Sequence, residues 1–121
     1  MNVNQLLKKC LKPVGLPVEP DPYTGEAEEY ISFIYADERP VVSGDDVNVL
    51  DLTTMYIHCY TRKNPQFYKK QIRRGLRLGG FTILSTSENF DNKNGFNHIM
   101  VTAEIEGVID DDELPDEQED Y

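Results

Sequence analysis

Two histidines, two cysteines and several pairs of acids are the side chains in this sequence whose chemistry could extend beyond packing. His58 and Cys59 are neighbours in a segment of strand-like alternation, and successive strand residues point to opposite faces, which removes the simplest Cys–His nucleophile pair. Neither His58 nor His98 has a second ligand at a metal-like spacing, so both read as surface or half-buried histidines. The run Asp91-Asn92-Lys93-Asn94-Gly95 has the oxygen ligands and glycine turn of a calcium loop. With Gly95 at the sixth loop position, however, Phe90 falls first and Val101 twelfth, where carboxylates are needed, so the run reads as a polar hairpin loop. The pairs Glu28-Glu29, Asp37-Glu38 and Asp45-Asp46 could serve as acid/base pairs or magnesium ligands, but nothing near them supplies a substrate pocket, and they read as solvated charges. The sequence has no Gly-x-Ser-x-Gly elbow and no glycine-rich phosphate loop. The expectation is a protein without catalysis, metal or cofactor.

Charge is the other chemical signal. Lys69, Lys70, Arg73, Arg74 and Arg77, with Arg62 and Lys63 just ahead of them, concentrate seven of the 12 bases in one short stretch. Such a face suits an acidic protein surface or a nucleic acid, against the alternative of an ordinary solvated helix. The net charge is −10, but residues 110–121 hold eight of the 22 acids and no base, leaving 14 acids against 12 bases elsewhere. The body is therefore nearly neutral, which disfavours binding of nucleic acid by the whole surface and favours short-range protein contact. A terminal acidic run with one Leu and one Pro buries too little to offset chain entropy, so 110–121 is expected to be a disordered tail after a single domain over 1–109.

Residue spacing indicates the elements that must carry these groups. Val3, Leu6, Leu7, Cys10 and Leu11 form one apolar helical stripe, ended by Pro13 and Gly15. Residues 13–26, with four of the seven prolines, read as an extended connector. Glu29–Ala36 alternates as a strand, Asp37–Asn48 reads as a long charged loop, and Leu50–Arg62 alternates again, with Thr53, Met55, Ile57, Cys59 and Thr61 on one side. Asn64-Pro65 opens a second helix whose Tyr68, Ile72, Gly75, Leu76 and Gly79 share a face, and Gly79-Gly80 closes it. Phe81–Ser87 and Phe96–Glu106 are two more strands, joined through Asn94-Gly95. The order α-β-β-α-β-β predicts an α+β fold, a mainly antiparallel four-stranded sheet with two helices on one face. Cys10 and Cys59 lie in different elements and read as two buried thiols rather than a disulfide. No apolar run approaches a membrane span and the N-terminus has no secretion pattern, so a soluble protein made in the cytoplasm is expected.

Several segments resemble the small tail-completion, or tail terminator, proteins of long-tailed non-contractile phages. They are Tyr30-Ile31-Ser32-Phe33 running into Ala36-Asp37-Glu38-Arg39-Pro40, the Asp45-Asp46 loop, Tyr56–Tyr60, Lys69–Arg73, Gly79–Thr82 and Val101–Ile105. The resemblance covers residues 1–107 in order and length and implies a hexameric ring that caps the tail tube, stops its polymerisation and presents a docking face to the head-side connector. It further implies that DNA passes through the ring lumen, that the partners are further copies of the chain, the tube protein and the connector, and that assembly takes place in the bacterial host cytoplasm, with the final position at the head–tail joint. Asp37, Glu38, Arg39, Asp45, Asp46, Lys69, Lys70, Arg73, Arg74 and Arg77 are the expected interface residues. A head-closure or other neck protein, or an acidic inhibitor mimicking DNA, remains as an alternative.

Overall fold

The computed structural model of the protein describes residues 2–42 and 49–107. Asn2 caps the first helix by a reciprocal pair of hydrogen bonds: its side chain accepts from the Gln5 amide at 2.8 Å and its own amide donates to Gln5 Oε1 at 3.1 Å. The stripe read from the sequence is the buried side of this helix, α1 (Val3–Leu11), where Val3, Leu7 and Leu11 are buried and Leu6 and Cys10 half-buried. The second helix, α2 (Pro65–Leu78), begins at an Asn64 cap that accepts from the Gln66 amide at 2.9 Å, and it buries Tyr68, Ile72 and Leu76. Its chain reverses at Gly80, whose φ of +96° is open to a residue without a Cβ.

The sheet departs from expectation in two places. It has five strands rather than four and is mixed, in the order β1-β2-β3-β5-β4 for β1 (Val18–Pro20), β2 (Tyr30–Val42), β3 (Val49–Thr61), β4 (Thr82–Asp91) and β5 (Phe96–Glu106). The added strand, β1, arises inside the proline-rich connector and pairs parallel with β2, Val18 opposite Ile31 and Pro20 opposite Phe33. Proline is tolerated there because an edge strand leaves one side of its backbone unpaired. A short 3-10 turn, Lys12–Val14, packs Val14 into the core from the same connector.

The second departure is the segment Asp37–Asn48. β2 continues through Asp37 to Val42, with Asp37 opposite Thr54 and Val41 opposite Leu50. The pairing slips between Tyr35 and Asp37, making Ala36 the extra residue of a bulge. A bulge shifts the alternation by one, so a strand read by period two stops at Ala36 although the ladder does not. Asp45 and Asp46 lie outside the described residues, as does the acidic segment 110–121.

Ile31, Phe33, Met55, Ile57, Cys59, Ile99, Val101, Ala103 and Ile105 share one face of the sheet and one core with the helix stripes. Both helices therefore cover the same face. They approach closely at Gly75, where an added Cβ would lie 2.5 Å from the backbone carbonyl oxygen of Cys10. Glu29 secures the connector's far end: its carboxylate accepts from Thr61 Oγ1 at 2.8 Å and from the Arg62 amide at 2.7 Å, while Glu28 pairs with Arg62 at 2.6 Å. The amide of Arg62 is the main cause that holds the Glu29 carboxyl below the usual carboxylate range.

Alanine normally strengthens a helix relative to glycine. Gly75→Ala should instead destabilise the protein, by about 1–3 kcal/mol, because backbone rather than a flexible side chain occupies the space. Urea unfolding of the variant checks this, and a gain in stability would contradict the close approach of the helices.

Candidate assembly surfaces

The expected basic face divides into two parts. Lys69 turns toward the sheet and pairs with Glu88 of β4 at 2.5 Å, and Arg73 is half-buried, its Nε buried without a hydrogen-bond partner among the described residues. Lys70, Arg74 and Arg77 are exposed and make no ion pair with a described residue. Asp37 and Arg39 stand two apart on one strand face and pair with each other at 2.7 Å, while Glu38 is exposed between them. No ion pair among the described residues joins Asp37–Arg39 to the α2 cations.

Two features of this surface were not legible as sites in the sequence. One is an apolar-floored groove of about 640 Å³ between α1 and α2, lined by Leu6, Cys10, Pro13, Gly75 and Leu78 with Lys9 and Arg74 at its rim. Leu78 is 79% exposed there. It stands two residues past Leu76, off the buried stripe, and that phase was the available signal. The Cys10 thiol, raised above the ordinary value by burial, faces this groove, whereas Cys59 is fully buried beneath the helices and pushed up to about 12, mainly by desolvation. Both cysteines are free thiols.

The other is a ladder of rings across the sheet face that the helices leave open. Pairing places Tyr30 opposite Tyr60 and Tyr60 opposite His98, with centroids 5.0 and 4.5 Å apart. Tyr23, from the connector, stacks on Tyr30 at 4.0 Å, and His58 Nδ1 lies 2.9 Å from His98 Nε2 in a hydrogen bond. The two histidines, 40 residues apart in sequence, meet because they are diagonal neighbours on β3 and β5. Burial is the main cause that holds both below the usual histidine range; the charge of His58 further lowers His98, and Asp21 opposes the shift at His58. Among the described residues no group of three His, Cys, Asp or Glu side chains could hold a metal ion. Asp91 binds its own hairpin, accepting from the Lys93 amide at 2.9 Å and from Asn94 Nδ2 at 2.8 Å, which makes the loop a structural turn.

No protein-family profile matches the sequence, and no curated protein does. The fold is similar to that of a chain in the virion of a native gene transfer agent particle, with a TM-score of 0.58 and 12% identity, over 89% of this chain and 96% of that one. The likeness shows a shared α+β fold that spans nearly the whole of both chains.

Among the described residues both sides of the sheet also carry unpaired strand edge. β4 is the last strand on one side, and on the other β1 covers only Ile31–Phe33 of β2. Leu84, the extra residue of a bulge in β4, and Phe90 project there half-exposed, and Ile34 and Tyr56 form an exposed cross-strand pair on the open face. No helix is long and apolar enough to cross a membrane among the described residues.

The histidine pair makes stability depend on pH. A histidine with a lowered pKa in the fold binds its proton more readily when unfolded, so its contribution is complete above about 6.5 and is lost as pH falls below that value. Asp21 acts on His58, and Glu28, Tyr30, Tyr60 and Asp91 line the hollow beside His98. The thermal midpoint of the wild type should fall between about pH 7 and pH 5, and that of His98→Gln should fall less steeply over the same interval. Parallel profiles for the two proteins would show that the pair is not the titrating element.

Proposed function

We propose that this chain is a structural component of a phage or phage-derived particle, acting without catalysis as a ring that terminates the tail tube at its head-side end. The observation that carries the reading is the fold likeness over 96% of a gene transfer agent virion chain, a likeness that embraces this domain rather than a fragment of it. The side chains with chemical potential point the same way, because they are engaged in structure: Glu29 in closing the connector, Asp91 in its hairpin, and His58 in a bond to His98.

Ring formation requires two different patches that meet head to tail. The unpaired edge of β4 and the outer edge of β2 beyond Phe33 supply such a pair on opposite sides of one sheet. The long edge of β4 is the kind that proteins otherwise cover or blunt, and a neighbouring copy would cover it. A hexamer, a tube-facing side and a connector-facing side complete the proposal, with Lys70, Arg74 and Arg77 as the exposed part of a docking face for acidic protein. Host cytoplasm is the proposed place of assembly and the head–tail joint the final position.

The test is electron microscopy of particles made without this protein. Tail tubes of irregular length lacking heads are expected. Tubes of normal length that merely fail to join would move the protein to the neck as a connector, and normal, joined tails would overturn the virion role.

A further inference from the structure

The groove between α1 and α2 joins a second hollow on α2 through Gln71, Arg74 and Leu78, making one continuous surface. Lys9, Lys70, Arg74 and Arg77 border it, none of them paired with a described acid, and no acidic side chain of the described residues lines it. Uncompensated cations around an apolar floor fit an acidic segment that also carries an apolar side chain.

The chain itself contains one. Residues 108–121 hold eight acids and no base, with Leu114-Pro115 between Asp110–Glu113 and the acids from Asp116 onward. Their starting point is beside the groove. β5 ends at Glu106, the Gly107 amide is bound to the Asp51 carbonyl at 2.9 Å, and Ile105 Cδ1 is 3.7 Å from where a Cβ on Gly80 would stand. Gly79, one residue earlier, lines the groove. Fourteen residues extend up to about 45 Å, so the distance is easily spanned.

We propose that the acidic C-terminal segment 108–121 docks in cis on the cationic groove between α1 and α2, with Leu114 against its apolar floor. The inference rests on the groove, its charge and the exit point of β5, and does not depend on which particle the protein builds.

Cys10 reports on the groove directly, since it lines it, while buried Cys59 serves as an internal control. The full-length chain is treated with iodoacetamide, an uncharged reagent, and modification of Cys10 is followed by peptide mass spectrometry. At low ionic strength Cys10 should react about tenfold more slowly in the wild type than in a variant whose eight acids are changed to Asn or Gln, a ratio equivalent to about 1.4 kcal/mol of docking. The difference should vanish in about 1 M salt, where charges are screened beyond about 3 Å. Leu114→Ala, which keeps every charge, should also speed the reaction. Backbone amide resonances of Lys9 and Leu78 should shift between the wild type and the neutralised variant, a second reading should Cys10 prove slow throughout. Equal rates together with unmoved resonances would overturn the proposal. An effect of neutralisation without any effect of Leu114→Ala would reduce it to a diffuse field and overturn docking, and protection that grows with protein concentration would assign the groove to a neighbour's tail and overturn the cis arrangement.

Discussion

Among the described residues two short helices cover a five-stranded sheet, and they lie side by side on one face of it. That is possible because α2 presents Gly75 and Gly79 to α1 around Cys10, so that the helix backbone at Gly75 meets the Cys10 carbonyl directly and the Cys10 thiol fits over Gly79. The close approach brings Leu7, Leu11, Ile72 and Leu76 down onto the strands as one buried layer. It also sets the outer surface, since a cleft bordered by two tightly packed helices is the groove that Leu6, Cys10 and Leu78 line.

A sheet covered on one side must satisfy its other face by different means. Here the strands place rings and small polar groups where a second layer of helices would otherwise pack. Tyr23, Tyr30, Tyr60 and His98 stack across three elements, bury part of one another's area and leave their polar edges accessible. The connector that delivers Tyr23 is in turn secured by Glu28 and Glu29 at the end of β3. The acid pair Glu28-Glu29, which could suggest chemistry in isolation, is thus an anchor, and its charges are matched by Arg62 and Lys63.

Among the described residues the helices cover one face of the sheet and both of its edges are open. The edge of β4, the outer stretch of β2, the exposed pair Ile34 and Tyr56 and the cationic rim of α2 lie on different parts of the molecule.

Local pattern alone determined both helices and their apolar stripes, the Asn64 cap of α2, the shared faces of Met55, Ile57 and Cys59 and of Ile99, Val101 and Ala103, and the hairpin before Phe96, because these follow from spacing within one element. The fifth strand was not legible, since Val18–Pro20 becomes a strand only through β2 beside it. Neither was the continuation of β2, because the bulge at Ala36 breaks the period on which a strand is read. The division of the basic helix face needed the position of Glu88, which draws Lys69 toward the sheet. The meeting of His58 with His98, and the groove at Cys10, needed the register of β3 with β5 and the packing of α1 on α2. These are contacts between residues distant in the chain, and their geometry is decided by how complete elements pack, a quantity that no window of sequence contains.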